Sequence, residues 1–409
     1  MKSIINKNNS VAAYFMLLTL LFSGLLFQSC ESDDDEGATP EISYVRVTNP
    51  DKSDSLVVRA FLGSTIAIIG NNLQDLEELW FNDQKAILNT SFITSTSVIV
   101  TIPDDIPEVV TDSMTLVTHS GIKVKYPFGV DVPPPLVNSM LCEQVADGET
   151  AVIYGNFFID DPNKPLEVYF PGNIKGEVVS VNINEIDVIV PSGTGTGQIS
   201  VKSLYGMGRS SFFFRDNRNI FLDFDTKTAD GGWRSGVYAS DGGISGSYVK
   251  FSGSIPGDLS DWNEDAFSFN YWPASTSRTD DDGQTLWDGD ISEAVLKFEV
   301  NVTSAWSANA LQMIFTPASV SGTNGYIADG SPRGLWRPWE SSGSFITDGW
   351  ITVSFSLSDF IYTHEGGISS TKFDKSFLGG LTFFVYHGGV EGTECTPTIL
   401  IDNIRVVPK

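Results

Sequence analysis

The residues best equipped for chemistry in this 409-residue chain are flat rings rather than nucleophiles. Tyr271-Trp272-Pro273, Trp233 beside Arg234, and Trp336-Arg337-Pro338-Trp339-Glu340 all stand in stretches rich in Gly, Ser or Pro. A ring in such a turn is available for stacking, and its indole N–H or a neighbouring guanidinium can donate a hydrogen bond. That is the chemistry of non-covalent recognition. Tyr271 and Trp272 would point opposite ways along a strand, but Pro273 interrupts the strand and lets both sit on a loop or edge. Trp350 and Trp306 adjoin alternating strands and read as core residues, as does Trp80.

Covalent and metal chemistry find less support. Only three histidines are present (His119, His364, His387), and no Cys/His cluster has zinc-ligand spacing. Gly193-Thr-Gly195-Thr-Gly197 lacks the Lys-Ser/Thr ending of a phosphate loop and reads as a turn. Asp280-Asp281-Asp282-Gly283 and Asp288-Gly289-Asp290 lack the spacing of a calcium loop. Asp223, Asp225 and Asp402 are a further candidate for a structural calcium, so the metal content stays open and no other cofactor is expected. Carboxylates that could pair across a scissile bond, among them Glu264, Asp265, Glu293 and Glu340, keep a hydrolase open as the alternative.

Acids outnumber bases 51 to 25, a net charge of −26, which argues against nucleic acid as a partner. Three cysteines cannot build a disulfide framework, and Cys142 and Cys395 read as buried thiols. At the N-terminus, Lys2 and Lys7 precede an apolar run from Val11 to Phe27, the layout of a secretory signal over residues 1–29. Leu26-Phe27-Gln28-Ser29-Cys30 resembles a bacterial lipoprotein box, which implies cleavage before Cys30 and its acylation. A single-pass anchor is the alternative. Glu31 to Glu36 holds five acids in six residues and reads as a solvated tether, residues 30–39. It also resembles the acidic signal of lipoproteins on the outer face of the outer membrane in glycan-scavenging bacteria.

The elements that must carry the rings are strands. Gly63 to Asn71 repeats as Gly148 to Asn156 with an offset of 85, and Trp80-Phe81 repeats as Tyr169-Phe170. Short β-branched runs between Gly, Asn, Asp and Pro predict two sandwiches, residues 40–131 and 132–217, with Asp131-Val-Pro-Pro-Pro135 as a stiff joint. The repeat resembles the immunoglobulin-like IPT/TIG family, whose modules most often act as spacers. Beyond residue 218 lie eight of the nine tryptophans. Ile220 to Asp225 and Ile399 to Val407 are strand-like ends of one domain that can pair with each other. Val295–Val302 and Ile351–Leu357 alternate with period two. The predicted class is all-β: two tandem Ig-like sandwiches, then a larger jelly-roll-like sandwich over residues 218–409.

Tether, tandem modules and aromatic sandwich in this order resemble a surface glycan-binding protein of a Sus-like uptake system, of the SGBP-B type. The resemblance implies a non-catalytic lipoprotein that captures polysaccharide, with β-glucans favoured (mixed-linkage, β-1,3 or xyloglucan-type). Its partners would be the glycan, the outer membrane through Cys30, and a Sus-like transporter complex. It further implies an exposed aromatic platform drawn from Trp272, Tyr271, Trp233, Trp336 and Trp339, with Arg234 and Arg337 beside it. A surface glycoside hydrolase or an adhesin are the competing readings.

Overall fold

The structure is a computed structural model that describes residues 38–52, 54–230, 236–260, 264–273, 285–320 and 331–409. Among the described residues there is no α-helix, only strands and short 3-10 turns. The protein is all-β, as the alternation of its apolar residues predicts. The chain divides into two compact units, Met1–Pro133 and Pro134–Lys409.

In the first unit, strands Glu41–Val47, Thr65–Asn71 and Ser97–Thr101 form one sheet. Gln84–Lys85, Leu76–Phe81, Ser113–Thr118 and Lys123–Pro127 form a second, and Arg59–Phe61 pairs in parallel with Gly129–Asp131. Ser113–Thr118 buries every second residue, so Met114 and Leu116 meet Ile66, Ile68 and Phe81 between the sheets. Trp80 corrects the sequence reading. Leu79 and Phe81 take the inward positions, so Trp80 stays half-buried on the outer face. Its Nε1 donates to Glu78 Oε2 at 2.9 Å, and the Lys85 ammonium lies 5.8 Å from its ring centre. The second module repeats the device with Tyr169, whose hydroxyl donates to Glu167, itself bound by Lys175 at 2.7 Å. Those hydrogen bonds, Lys175's first, hold the Glu167 carboxyl down at about 2.

The second module has two four-stranded sheets. One orders Leu136–Met140, Thr150–Asn156, Glu185–Ile189 and Glu177–Asn182; the other Ile174–Lys175, Glu167–Phe170, Ser200–Ser203 and Gly206–Arg209. The repeated glycine has the same physical cause in both modules. A Cβ on Gly70 would sit 1.9 Å from the Glu41 carbonyl oxygen, and one on Gly155 1.9 Å from that of Leu136. Each module's opening strand bulges at this crossing, between Ile42 and Tyr44 and between Val137 and Ser139. The residue after each Gly-Asn turns left-handed: Asn72 at φ 56° and Phe157 at φ 59°. Asn tolerates that conformation, whereas Phe carries strain there.

The larger sandwich stacks a six-stranded sheet on a four-stranded one. The first orders Tyr238–Ala239, Tyr248–Ser252, Thr398–Pro408, Ala294–Ser304 and Ile351–Ser356, with Ile220–Leu222 also pairing with Thr398–Pro408. First and last strands therefore do meet, Ile220 opposite Arg405. The second sheet orders Ser268–Tyr271, Gly380–Tyr386, Ala310–Thr316 and Arg333–Trp336. Phe251, Phe269, Phe298, Trp306, Met313 and Phe383 fill the space between them.

Candidate functional site

The four-stranded sheet has two different faces. Phe269, Tyr271, Leu311, Met313, Phe315, Leu381, Phe383 and Val385 point into the core. The alternate residues make the outer face, because successive side chains in a strand point to opposite sides. There Trp272, Ile314 and Phe384 cluster with Tyr386 packed against them. Phe384 and Tyr386 stack, ring centres 5.1 Å apart and planes 18° apart, and Tyr386 lies 4.2 Å from the His387 ring.

Register places polar groups between these rings. Asn270 and Thr382 are opposite each other, and the Thr382 hydroxyl donates to Asn270 Oδ1 at 2.8 Å. Gln312 sits opposite Phe384, accepts from Arg333 at 2.8 Å and donates to the His364 carbonyl at 3.0 Å. His364 Nε2 is 3.0 Å from Glu365. Two local details seat Trp272. Gly380 leaves room for its ring, since a Cβ there would meet Trp272 Cδ1 at 2.7 Å. Trp272 N donates to Asp230 Oδ2 at 2.6 Å, and Asp230 N donates to the Asn270 carbonyl at 2.8 Å. Asn270, Gln312, Thr382, Arg333 and Phe384 are buried, with the polar groups bonded to one another or to main chain, whereas the Tyr386 ring of this cluster is only partly buried.

The structure places the residues singled out from sequence as follows. Tyr271 is in the core, stacked on Phe221 at 5.8 Å, because it is the last inward position of its strand. Trp272 is on the outer face but only 8% exposed, so it is no open platform. Trp336 and Trp339 fold down onto the core. Trp336 meets Trp306 edge-on at 5.5 Å, and Trp339 Nε1 donates to the Asn309 carbonyl at 2.7 Å. Packing these indoles on the core removes large apolar surfaces from water, which favours the inward arrangement. Arg337 is a structural clamp, bound to Glu340 at 3.1 Å and to the Gly388 carbonyl at 2.8 Å. Trp233, Arg234 and Cys30 lie outside the described residues. Sequence reading missed Asn270, Gln312, Thr382, Phe384 and Tyr386. The adjacent pair Phe383-Phe384 was the available signal: in a strand, one of the two must face outward.

Among the described residues no three carboxylate, imidazole or thiol groups converge on one point. Asp223, a calcium candidate, instead caps its own turn, accepting from the main chain of Asp225, Thr226 and Lys227 at 2.7–3.1 Å. Cys142 is buried, and burial pushes its thiol up to about 12. Cys395 is only partly buried. A cavity of about 620 Å³ opens at one end of the sandwich, floored by Leu357, Phe360 and Phe373. Its rim is engaged in local turns: Asp290 caps Ser292, Asp374 caps Ser376, and Lys375 reaches the Asp288 carbonyl.

The fold defines a larger β-sandwich carried on Ig-like modules. Residues 214–408 match the family described as surface glycan-binding protein B xyloglucan binding domain. The chain is 31% identical to the surface glycan-binding protein PbSGBP-B from Prevotella bryantii, whose crystal structure it matches over 91% of this chain and 99% of that one, TM-score 0.72. An IPT/TIG domain-containing protein of Bacteroides ovatus is 22% identical over 501 residues, spanning 97% of this chain and 98% of the relative. The chain belongs to the surface glycan-binding protein B family, of the Sus-like type. The matched family and the Prevotella bryantii protein are surface glycan-binding proteins rather than enzymes, and the hydrolase alternative is set aside.

Proposed function

We propose that this chain is a lipoprotein acylated on Cys30, facing outward from the outer membrane, that captures polysaccharide for a Sus-like transporter complex. A β-glucan (mixed-linkage, β-1,3 or xyloglucan-type) is the favoured ligand. One observation carries the reading. The stretch matching a xyloglucan binding domain family, residues 214–408, has an outer sheet face whose aromatic cluster of Trp272, Ile314 and Phe384 carries the partly buried Tyr386 ring.

Sugar hydroxyls exchange water for protein partners with little net gain, so affinity must come from the C–H faces of the ring lying on aromatic rings. Tyr386 offers the stacking ring, and the buried Trp272 and Phe384 support it from within the cluster. Trp233 and Arg234, which lie outside the described residues, remain candidates on their sequence alone. A polysaccharide offers many copies of its repeat, so modest single-site affinity is multiplied along one chain.

The test is affinity electrophoresis of residues 31–409 in gels containing mixed-linkage β-glucan, laminarin, xyloglucan or a mannan. Retardation by a β-glucan is expected, reduced in Trp272→Ala and Trp233→Ala, with no reducing sugar released. Equal mobility in every gel would refute the reading.

A further inference from the structure

The loop after strand Leu136–Met140 of the second module runs along the edge strand Ile351–Ser356 of the larger sandwich. Thr352 N donates to the Leu141 carbonyl at 2.9 Å, and Glu143 N donates to Thr352 Oγ1 at 2.7 Å. A bare strand edge is thereby covered by main chain from the module.

Beneath this contact, charged groups from both sides meet out of water. Lys297 Nζ donates to Glu143 Oε1 at 2.5 Å, and Arg405 donates to Glu143 Oε2 at 2.9 Å. Arg405 also forks onto both oxygens of Glu299, at 2.8 and 3.0 Å. Thr352 Oγ1 donates to Glu299 Oε1 at 3.0 Å. The side chains of Glu299 and Arg405 are 0% exposed, Glu143 5% and Lys297 8%. At the margin, Arg218 is held by Asp216 at 2.7 Å and lies 3.8 Å from the Phe213 ring centre, while Lys297 is 5.9 Å from that of Phe212.

The charges do not balance within the sandwich. Lys297 and Arg405 are register partners on adjacent strands, and among the described residues of that sheet Glu299 is the acid bonded to Arg405, while Asp402, opposite Glu299, bonds to Ser245 and the Asn403 main chain instead. Two cations against one anion leave an excess positive charge, and Glu143 from the module cancels it. A buried charge without a partner is far costlier than a buried pair. Burial lowers the Arg405 guanidinium's hold on its proton, but the charges of Glu299 and Glu143 outweigh it and keep the group firmly protonated.

We infer that the second Ig-like module and the glycan-binding sandwich fold and move as one body, closed by Glu143, so that this module is a structural half of the binding unit rather than a spacer. Their placement in one compact unit, Pro134–Lys409, accords with this.

The module has no tryptophan, so fluorescence of residues 31–409 in a Trp80→Phe background follows the sandwich alone. Cys142, next to Glu143, is buried at the joint. In a Cys395→Ala background its reaction with a thiol reagent reports opening. Glu143→Gln is expected to lower the tryptophan-detected midpoint by roughly 5 °C or more and to speed native-state labelling of Cys142 roughly tenfold. Glu143→Gln combined with Lys297→Met should recover part of both effects, since it removes the excess cation along with the acid. Glu149→Gln, an exposed acid of the same module, should change neither. An unchanged tryptophan midpoint in Glu143→Gln, or no recovery in the double variant, would overturn the inference. No glycan enters the test, so its outcome is independent of the proposed function.

Discussion

Asp402 lies in the closing strand Thr398–Pro408 with no exposed surface. Its Oδ2 accepts from Ser245 at 3.2 Å and its Oδ1 from the Asn403 main chain at 2.7 Å. Burial, with added repulsion from Glu299 and Asp225, pushes its carboxyl up to about 8. An ordinary aspartate titrates near ~3.9. The folded protein therefore binds this proton more tightly than the unfolded chain, so the group favours folding while protonated. That contribution is complete below about pH 4 and is lost as pH rises through the folded value. At 1.36 kcal/mol per unit the whole effect is on the order of 5 kcal/mol, of which roughly half falls between pH 6 and pH 9. Asp402→Asn keeps an oxygen acceptor of the same shape and removes the ionisation. Urea unfolding of residues 31–409, followed by tryptophan fluorescence at pH 6, 7.5 and 9, compares the two proteins. The wild type should lose about 2–3 kcal/mol more than the variant across that range. Parallel pH dependences would refute the argument. Repeating the series with calcium and with a chelator reads the open metal question. A cation taken by Asp225 and Asp402 would flatten the wild-type slope and leave the variant's unchanged.

Three further outcomes are expected. Gly155→Ala should destabilise by about 3 kcal/mol or more, because its Cβ would overlap the Leu136 carbonyl, whereas Gly195→Ala, with open space around it, should be near neutral in the same urea series. Trp306→Ala should cost about 3–5 kcal/mol, since the ring is fully buried and its Nε1 donates to the Ala308 carbonyl. Native residues 31–409 should titrate one reactive thiol with an Ellman-type reagent, the partly buried Cys395, while Cys142 appears only on unfolding because burial holds its thiol at about 12.

Much of the fold was legible as pattern. The offset of 85 between Gly70 and Gly155 marks two copies of one sandwich, and the structure supplies its cause: both glycines lie where the opening strand crosses with no space for a Cβ. Period-two alternation in Val295–Val302 and the apolar run Ile399–Val407 named the two strands that pair at the centre of the six-stranded sheet. Trp306 read as core from its place after an alternating strand, and it is. Trp80 shows where the same logic failed. A large ring beside Phe81 was read as core, but alternation admits only one of two neighbours, and Phe81 took the inward position.

The site was less legible. Proximity to Gly and Pro suggested exposure for Trp336 and Trp339, yet Trp336 ends a strand with its partly buried ring edge-on to Trp306, and Trp339 is buried with its Nε1 on the Asn309 carbonyl. Tyr271 and Trp272 are neighbours in sequence with opposite fates, one in the core and one on the outer face. Composition and spacing by themselves determined what depends on neighbours along the chain: all-β class, modular order, net charge, and the aromatic character of the last domain. Only the tertiary structure decided what depends on neighbours across space. It chose which ring of each pair faces outward, brought Asn270, Gln312 and Thr382 between the rings, and set Glu143 of one module against Lys297 and Arg405 of the next domain. Strand register and domain docking fix those contacts, and residues 154 and 262 positions apart carry no local trace of each other.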